Sequence, residues 1–148
     1  MVSNYPNLLE VFFLVKPPQL LIVYRKLSSG SPSRTFCYIA DSVAGYFKVL
    51  LYGKYDYFNI GIDNPEITIR ELADIYCRSG EEIFDYHGKV VFAASQDKEY
   101  LTNNPQRRCP VITKAKTLLG YDPTIVVDEG VKRFLSFIKE SPMENLVW

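Results

Sequence analysis

The chain has 148 residues, which is enough for one domain with a modest hydrophobic core. Its 17 basic and 17 acidic residues cancel to a formal net charge of +0 and form no basic block, so nucleic-acid binding is not expected. Aromatic residues make up 14% of the sequence, which suits a carbohydrate-contacting surface or a face that more protein normally covers.

Cysteine and histidine usage argues against disulfide and metal sites. The cysteines are an odd, scattered set without CxxC spacing: Cys37, Cys77 and Cys109. We interpret them as reduced thiols of a cytoplasmic protein. The single histidine, His87, has no second ligand at metal-site spacing. The apolar run Leu8–Val15 contains Glu10, is too short to span a membrane and lacks the flanks of a signal peptide, so no membrane partner is expected.

The first 27 residues are predicted to form a divergent segment. Leu8–Val15 has no clear hydrophobic period, so helix and strand both remain open there. Pro17-Pro18 must end this run. Leu20–Tyr24 is typical of a buried strand.

A turn, a strand and a helix are predicted next. The turn at Gly30–Ser33 is rich in Gly, Ser and Pro, and Thr35–Ile39 has the residue types of a strand. Asp41 is expected to cap a helix over Ser42–Leu51. Arg34 would then lie at the start of the strand, where its guanidinium could hold a phosphate. A solvated surface arginine is the alternative interpretation.

The remainder is predicted to alternate strands and helices, which gives a mixed α/β class. Thr68 and Glu71 have capping-box spacing and should open a helix that frays near Gly80, after which Glu81–Asp85 could add another turn. Thr113 is expected to cap a shorter helix that ends at Gly120. The other predicted elements are strands at 57–60 and 90–93 and a helix from Asp128 with Val131, Phe134, Leu135 and Ile138 on one face.

Four sequence blocks, taken in order, resemble the second half of extended short-chain dehydrogenase/reductases that act on nucleotide sugars. The similarity is greatest to UDP-glucuronate decarboxylases, also called UDP-xylose synthases. The blocks are Gly30–Asp41 (GSPSRTFCYIAD), Tyr57–Gly61 (YFNIG), Glu66–Ala73 (EITIRELA) and Gln106–Lys116 (QRRCPVITKAK). The resemblance implies the C-terminal substrate-binding lobe of a Rossmann-type enzyme over 28–141, with a loose tail at 142–148.

The resemblance also implies binding residues. Arg34 matches the arginine that contacts the nucleotide diphosphate in the family. Arg108 matches an arginine that reaches the sugar or its carboxylate. Tyr38 and Asn59 could line the same cleft, although roles in the core or in strand pairing are equally open. The implied partner is a UDP-sugar.

The family works with NAD and a Tyr-x-x-x-Lys pair, and this sequence contains neither signature. No GxGxxG or GxxGxxG turn occurs, although glycines are needed where the backbone approaches the pyrophosphate. None of the eleven tyrosines has a lysine four residues later. We therefore expect no cofactor site and no catalytic residue in this chain, and no turnover by the chain alone.

Three functional hypotheses follow. The leading one is a piece of an NAD-dependent nucleotide-sugar epimerase, dehydratase or decarboxylase that retains part of the UDP-sugar site. The alternatives are a non-enzymatic interaction module and one chain of a split enzyme whose partner is a separate Rossmann-domain chain. Self-association is also expected, because the helices at 42–51 and 128–140 and the run Leu8–Val15 carry apolar stripes.

Overall fold

The computed structural model of the chain describes residues 11–16, 19–24, 30–90 and 105–141. Strands β1 (Val11–Lys16) and β2 (Gln19–Tyr24) pair antiparallel, with Val11 opposite Tyr24 and Lys16 opposite Gln19. The strand predicted at Leu20–Tyr24 is confirmed, and the described part of the apolar run before it is also a strand.

A second sheet contains three strands of two residues each. β3 (Ser33–Arg34) lies in the centre, antiparallel to β4 (Ile67–Thr68) and parallel to β5 (Arg107–Arg108). Thr35 N–H continues the pairing by donating to the Arg108 carbonyl at 3.3 Å. Segments far apart in the sequence therefore meet at the start of the arginine-bearing strand.

The described ranges also contain four helices: α1 (Ile39–Leu51), α2 (Ile69–Phe84), α3 (Thr113–Leu119) and α4 (Val127–Glu140). α2 packs on α4, and the main core lies between them. Its buried members are Leu72, Ile75, Val127, Val131 and Leu135. The apolar stripe predicted on the last helix is therefore confirmed, but it is covered by α2 and is not free to drive association.

A smaller core joins α1 to α3. Ile112, Ala115 and Tyr121 are buried in it, and Phe58, Ile60 and Leu119 pack against them. Gly45 lets α1 approach closely, because a Cβ there would lie 2.5 Å from Ile60 Cγ2 and 2.9 Å from Tyr121 Cε2. No helix within the described ranges has the length and hydropathy needed to cross a membrane.

Two of the predicted strands are wrong. Residues 35–38 are irregular, and Ile39 is already the first residue of α1. Residues 57–60 are irregular too, because Phe58 and Ile60 pack into the smaller core instead of pairing. Val90 is not in a strand, and residues 91–93 of the strand predicted at 90–93 lie outside the described ones.

Three predicted helix termini also differ from the structure. The carboxylate of Asp41 does not cap α1 but accepts from the Thr124 and Ile125 N–H groups at 3.0 and 2.8 Å, which holds the loop before α4. Thr113 is the first helical residue after the N-cap Ile112, so its side chain caps nothing. α2 continues beyond Gly80 to Phe84 and ends at Asp85, which has the left-handed φ of 56°.

Candidate functional site

An open cleft of about 660 Å³ lies at the end of the three-stranded sheet. Residues from three segments line it: 34–37, 60–62 and 107–110. Three of the lining residues, Arg34, Arg107 and Arg108, are arginines, and none is acidic. The cleft is thus a local concentration of positive charge in a chain whose formal net charge is +0.

The strand register brings Arg34 and Arg108 together. They are paired residues of the parallel strands β3 and β5, so their side chains leave the sheet on the same face. The Arg34 guanidinium donates from Nη1 to the Ser33 carbonyl and from Nη2 to the Pro105 carbonyl, both at 2.6 Å. These bonds fix its orientation and connect β3 to the segment that leads into β5. Arg108 is exposed, and no described carboxylate forms an ion pair with it.

Arg107 is held by Glu66, which precedes β4. Its Nε lies 2.9 Å from both carboxylate oxygens, and its Nη2 lies 2.7 Å from Oε2. Ser33 Oγ donates to Oε1 of the same carboxylate. The bonds from Arg107 and then Ser33 lower the pKa of Glu66, and the carboxylate raises the pKa of Arg107. Glu66 therefore neutralises Arg107, and no such pair with a described carboxylate forms at Arg108.

The lining segment 60–62 contacts the smaller core through Ile60. Tyr121 Oη donates to the Gly61 carbonyl at 2.9 Å and lies 3.6 Å from Cys37 Sγ. Burial, followed by the proximity of Cys37, raises the pKa of Tyr121. A Cβ at Gly61 would lie 3.1 Å from Pro110 Cγ. Gly61 is thus a position of close packing between two of the lining segments.

The structure separates the other two predicted binding residues from this cleft. The Tyr38 ring packs against Gly130, where a Cβ would lie 3.0 Å from Tyr38 Cδ2, and the Arg133 Cζ lies 5.9 Å from the ring centroid. Asn59 Nδ2 donates to the Val111 carbonyl at 3.0 Å. Neither lines the cleft, and their role in binding stays a prediction.

Sequence reasoning did not single out Glu66, Gly61 or the cleft thiols of Cys37 and Cys109. Each of these residues lies inside one of the resembled blocks, and that position was the only signal in the sequence that could have pointed to it. Their contacts join segments that are distant in the sequence, so no local pattern reveals them. No group of His, Cys, Asp and Glu among the described residues could hold a metal ion.

Comparison with known proteins identifies relatives for most of the chain. It is 32% identical over 103 residues to UDP-glucuronic acid decarboxylase 4 of Arabidopsis thaliana, which covers 69% of this chain and 21% of that protein. It is 32% identical over 123 residues to UDP-glucuronic acid decarboxylase 1 of Danio rerio, and this match covers 80% of this chain and 25% of that protein. The chain thus spans about a quarter or less of these relatives. No protein-family model matches it.

Solved structures agree with the sequence relatives. UDP-glucuronic acid 4-epimerase from Bacillus cereus, in complex with UDP-glucuronic acid and NAD, superposes with a TM-score of 0.60 at 26% identity, covering 77% of this chain and 34% of that one. UDP-glucose 4-epimerase from Thermotoga maritima, solved with UDP-glucose, shares the fold with a TM-score of 0.62 at 23% identity. The superposition covers 78% of this chain and 34% of that one. The mixed α/β fold predicted from the sequence is confirmed. The chain therefore corresponds to the C-terminal part of an extended short-chain dehydrogenase/reductase of the nucleotide-sugar epimerase and decarboxylase type.

Proposed function

We propose that the chain binds a UDP-sugar, with the diphosphate at Arg34 and the sugar toward Arg108. The observation that carries this proposal is the cleft lined by three arginines and no acidic residue. A guanidinium is permanently charged and presents its donors in a planar fork that matches phosphate and carboxylate oxygens. Arg107 is paired with Glu66, whereas Arg34 and Arg108 leave the same face of the sheet, so these two are the proposed contacts for an anionic ligand.

The relatives support the choice of ligand. The Bacillus cereus epimerase was solved with UDP-glucuronic acid, which carries a diphosphate and a sugar carboxylate. Two arginines on one sheet face suit a ligand with two anionic groups. Arg34 is pre-oriented by two carbonyl contacts, so little conformational entropy remains to be lost when phosphate binds. Arg108 is exposed at the other lining segment and is the better candidate for the sugar end.

We propose further that these 148 residues contain no NAD site. A dinucleotide site needs a glycine-rich turn between a strand and a helix. In the described residues, β3 leads to α1 through residues 35–38 and β4 runs directly into α2, and neither junction contains glycine. We therefore propose binding without redox or decarboxylase chemistry for these 148 residues, in the cytoplasm, where the three free cysteines stay reduced.

The test is a calorimetric titration of UDP and UDP-glucuronate against Arg34→Ala and Arg108→Ala. A charge-assisted contact contributes about 1.5–3 kcal/mol, so Arg34→Ala should weaken UDP binding roughly 10- to 100-fold. Arg108→Ala should change UDP affinity little and weaken UDP-glucuronate binding.

The matched control is Arg78→Ala, which removes an exposed arginine of α2 paired with Asp128 away from the cleft. This variant should bind both ligands like the unmodified chain. Because Arg34 also contacts the Pro105 carbonyl, the thermal stability of each variant is measured beside its affinity. If folded Arg34→Ala binds UDP as tightly as the unmodified chain, the proposed site is wrong.

A further inference from the structure

Two cysteine thiols line the same cleft as the arginines. Cys37 belongs to the segment between β3 and α1, and Cys109 directly follows β5, so the two thiols come from segments distant in the sequence. Both residues are half-buried, and neither forms a disulfide. The cleft therefore combines two nucleophilic sulfur atoms with guanidinium groups, and the proposed binding of a nucleotide sugar uses neither thiol.

The surroundings of Cys109 favour reaction with an anion. Cys109 follows Arg107 and Arg108 in the chain, and the cleft is lined by Arg34 as well but by no acidic residue. After Glu66, the Cys109 thiolate is the other group whose charge raises the pKa of Arg107, so the sulfur lies close enough to that guanidinium for their charges to attract. Reactive cysteines in proteins characteristically lie in partly exposed, electropositive surroundings of this kind.

The contacts of the two sulfur atoms indicate which thiol reacts first. Cys37 Sγ accepts from Ser42 Oγ of α1 at 3.3 Å and lies 3.6 Å from Oη of the buried Tyr121, so it is held between α1 and the smaller core. Cys109 Sγ makes a weak contact with the Asp63 carbonyl, at 3.5 Å. We therefore expect Cys109 to react before Cys37.

The third cysteine, Cys77, has different surroundings. It is half-buried on α2 and does not line the cleft. Burial, followed by the carboxylate of Asp74, raises the pKa of Cys77, and the neighbouring Arg78 forms an ion pair with Asp128. A raised pKa leaves less thiolate at neutral pH, and a nearby carboxylate repels an anionic reagent. Cys77 therefore serves as an internal control for reactions at the cleft.

We propose that the cleft is a thiol-modification site at which Cys109, and more slowly Cys37, reacts with small disulfides that carry carboxylates, the chemical class of oxidised glutathione. The Arg34 and Arg108 guanidinium groups attract the carboxylates and hold the disulfide beside the sulfur. The cysteine thiol loses its proton to water, and the thiolate attacks one sulfur of the disulfide. A new S–S bond forms as the old one breaks, so the cysteine is oxidised, the disulfide is reduced, and its other half leaves as a thiolate.

This inference does not rest on the proposed UDP-sugar ligand, so the test uses the unmodified chain without nucleotide. The chain is exposed briefly to dithiobis(nitrobenzoate), which carries carboxylates, or to dithiodipyridine, which is uncharged at neutral pH. Acid stops the reaction, and mass spectrometry of the peptides gives a rate constant for each cysteine. We expect the ratio of the anionic to the neutral rate constant to be roughly tenfold or more higher at Cys109 than at Cys77, and to fall as salt is added.

Two variants separate the effect of charge from that of access. Arg108→Gln should slow the anionic reagent at Cys109 several-fold and leave the rate of the neutral reagent unchanged. Lys132→Gln is the matched control, because it removes a positive charge of α4 that is paired with Glu82 outside the cleft, and it should change neither rate. Equal rate ratios at Cys109 and Cys77, faster modification of Cys37 than of Cys109, or equal effects of the two variants would each overturn the proposed site.

Discussion

At the residue scale, Glu66 joins all three strands of the small sheet. It precedes β4, accepts from Ser33 of β3 and pairs with Arg107 of β5. Exposed ion pairs contribute little to the free energy of unfolding. The contacts of Glu66 therefore matter for geometry more than for stability, because they maintain the strand register that places Arg108 beside Arg34.

We predict that Glu66→Gln weakens UDP binding several-fold at neutral pH and leaves the unfolding midpoint almost unchanged. The neutral amide holds the Arg107 guanidinium and the Ser33 hydroxyl less firmly than a carboxylate does, so β5 and β3, the strand that carries Arg34, are less firmly placed. Calorimetric titration with UDP, together with thermal unfolding, measures the two effects.

The matched control is Glu129→Gln, which removes another exposed carboxylate–arginine pair, with Arg133 on α4. UDP affinity should be unaffected in this variant. If Glu66→Gln and Glu129→Gln bind UDP equally well, Glu66 does not position the site.

The pH dependence follows from the lowered pKa of Glu66, which is caused first by Arg107 and then by Ser33. A carboxyl whose pKa is depressed on folding stabilises the fold above its unfolded pKa, near 4.3 for glutamate. This contribution is lost as the pH falls through the lower folded pKa. Between pH 6 and 8 the Glu66–Arg107 pair should therefore not change UDP affinity.

Sequence alone identified Arg34 and Arg108 but not the cleft they share. Each stood out through a resembled block, and nothing local showed that they are strand partners. Their proximity depends on parallel pairing between segments distant in the chain, and Arg34 reaches the Pro105 carbonyl across 71 residues. Glu66 escaped notice for the same reason: its partners lie 33 and 41 residues away.

At the element scale, the two helices with a threonine near their start differ in capping. Thr68 Oγ1 accepts from the Glu71 N–H at 3.1 Å, and Glu71 Oε2 accepts from the Thr68 N–H at 2.7 Å, which completes the predicted capping box of α2. Thr113 lies inside α3 and satisfies no N-terminal amide. The same residue type therefore has different energetic roles.

We predict that Thr68→Ala lowers the free energy of unfolding by about 1 kcal/mol, because an N-cap acceptor for α2 is lost. Thr113→Ala should change it by less than about 0.5 kcal/mol, as surface substitutions away from caps usually do. Urea denaturation followed by circular dichroism gives both values. Equal losses in the two variants would contradict the assigned helix starts.

Helices were easier to predict than strands for a physical reason. The periodic stripe of α4 and the capping box of α2 are local signals, and both are confirmed. The residue types at Thr35–Ile39 and Tyr57–Ile60 favour a strand because aromatic and β-branched side chains fit a pleated, half-buried surface. A half-buried irregular segment accommodates the same side chains, so these residue types do not by themselves determine a strand. Phe36 and Phe58 pack their rings against the two cores instead, and the strands of the three-stranded sheet are only two residues long and set by their pairing partners.

At the scale of the whole molecule, the candidate cleft and the exposed apolar face of α1 lie next to each other. Cys37 lines the cleft, and α1 begins two residues later at Ile39. The positive cleft suits a small anionic ligand. The exposed apolar residues of α1, among them Phe47, Leu50 and Leu51, do not line the cleft, so a test of ligand binding need not disturb them.

The last prediction concerns catalysis by the chain as it stands. We expect no saturable NAD binding and no product from UDP-glucuronate supplied with NAD, while UDP still binds. The reason is chemical: the 148 residues contain no GxGxxG turn and no tyrosine with a lysine four residues later, and no tyrosine lines the cleft in the described part of the chain. Without a positioned hydride acceptor and a base, bound sugar has no route to oxidation. The measurement is NAD calorimetry and chromatography of the nucleotide sugars on a preparation whose UDP binding has first been verified. Saturable NAD binding, or UDP-xylose or UDP-galacturonate formed in proportion to the chain added, would show that it carries a catalytic site that neither sequence signature identifies.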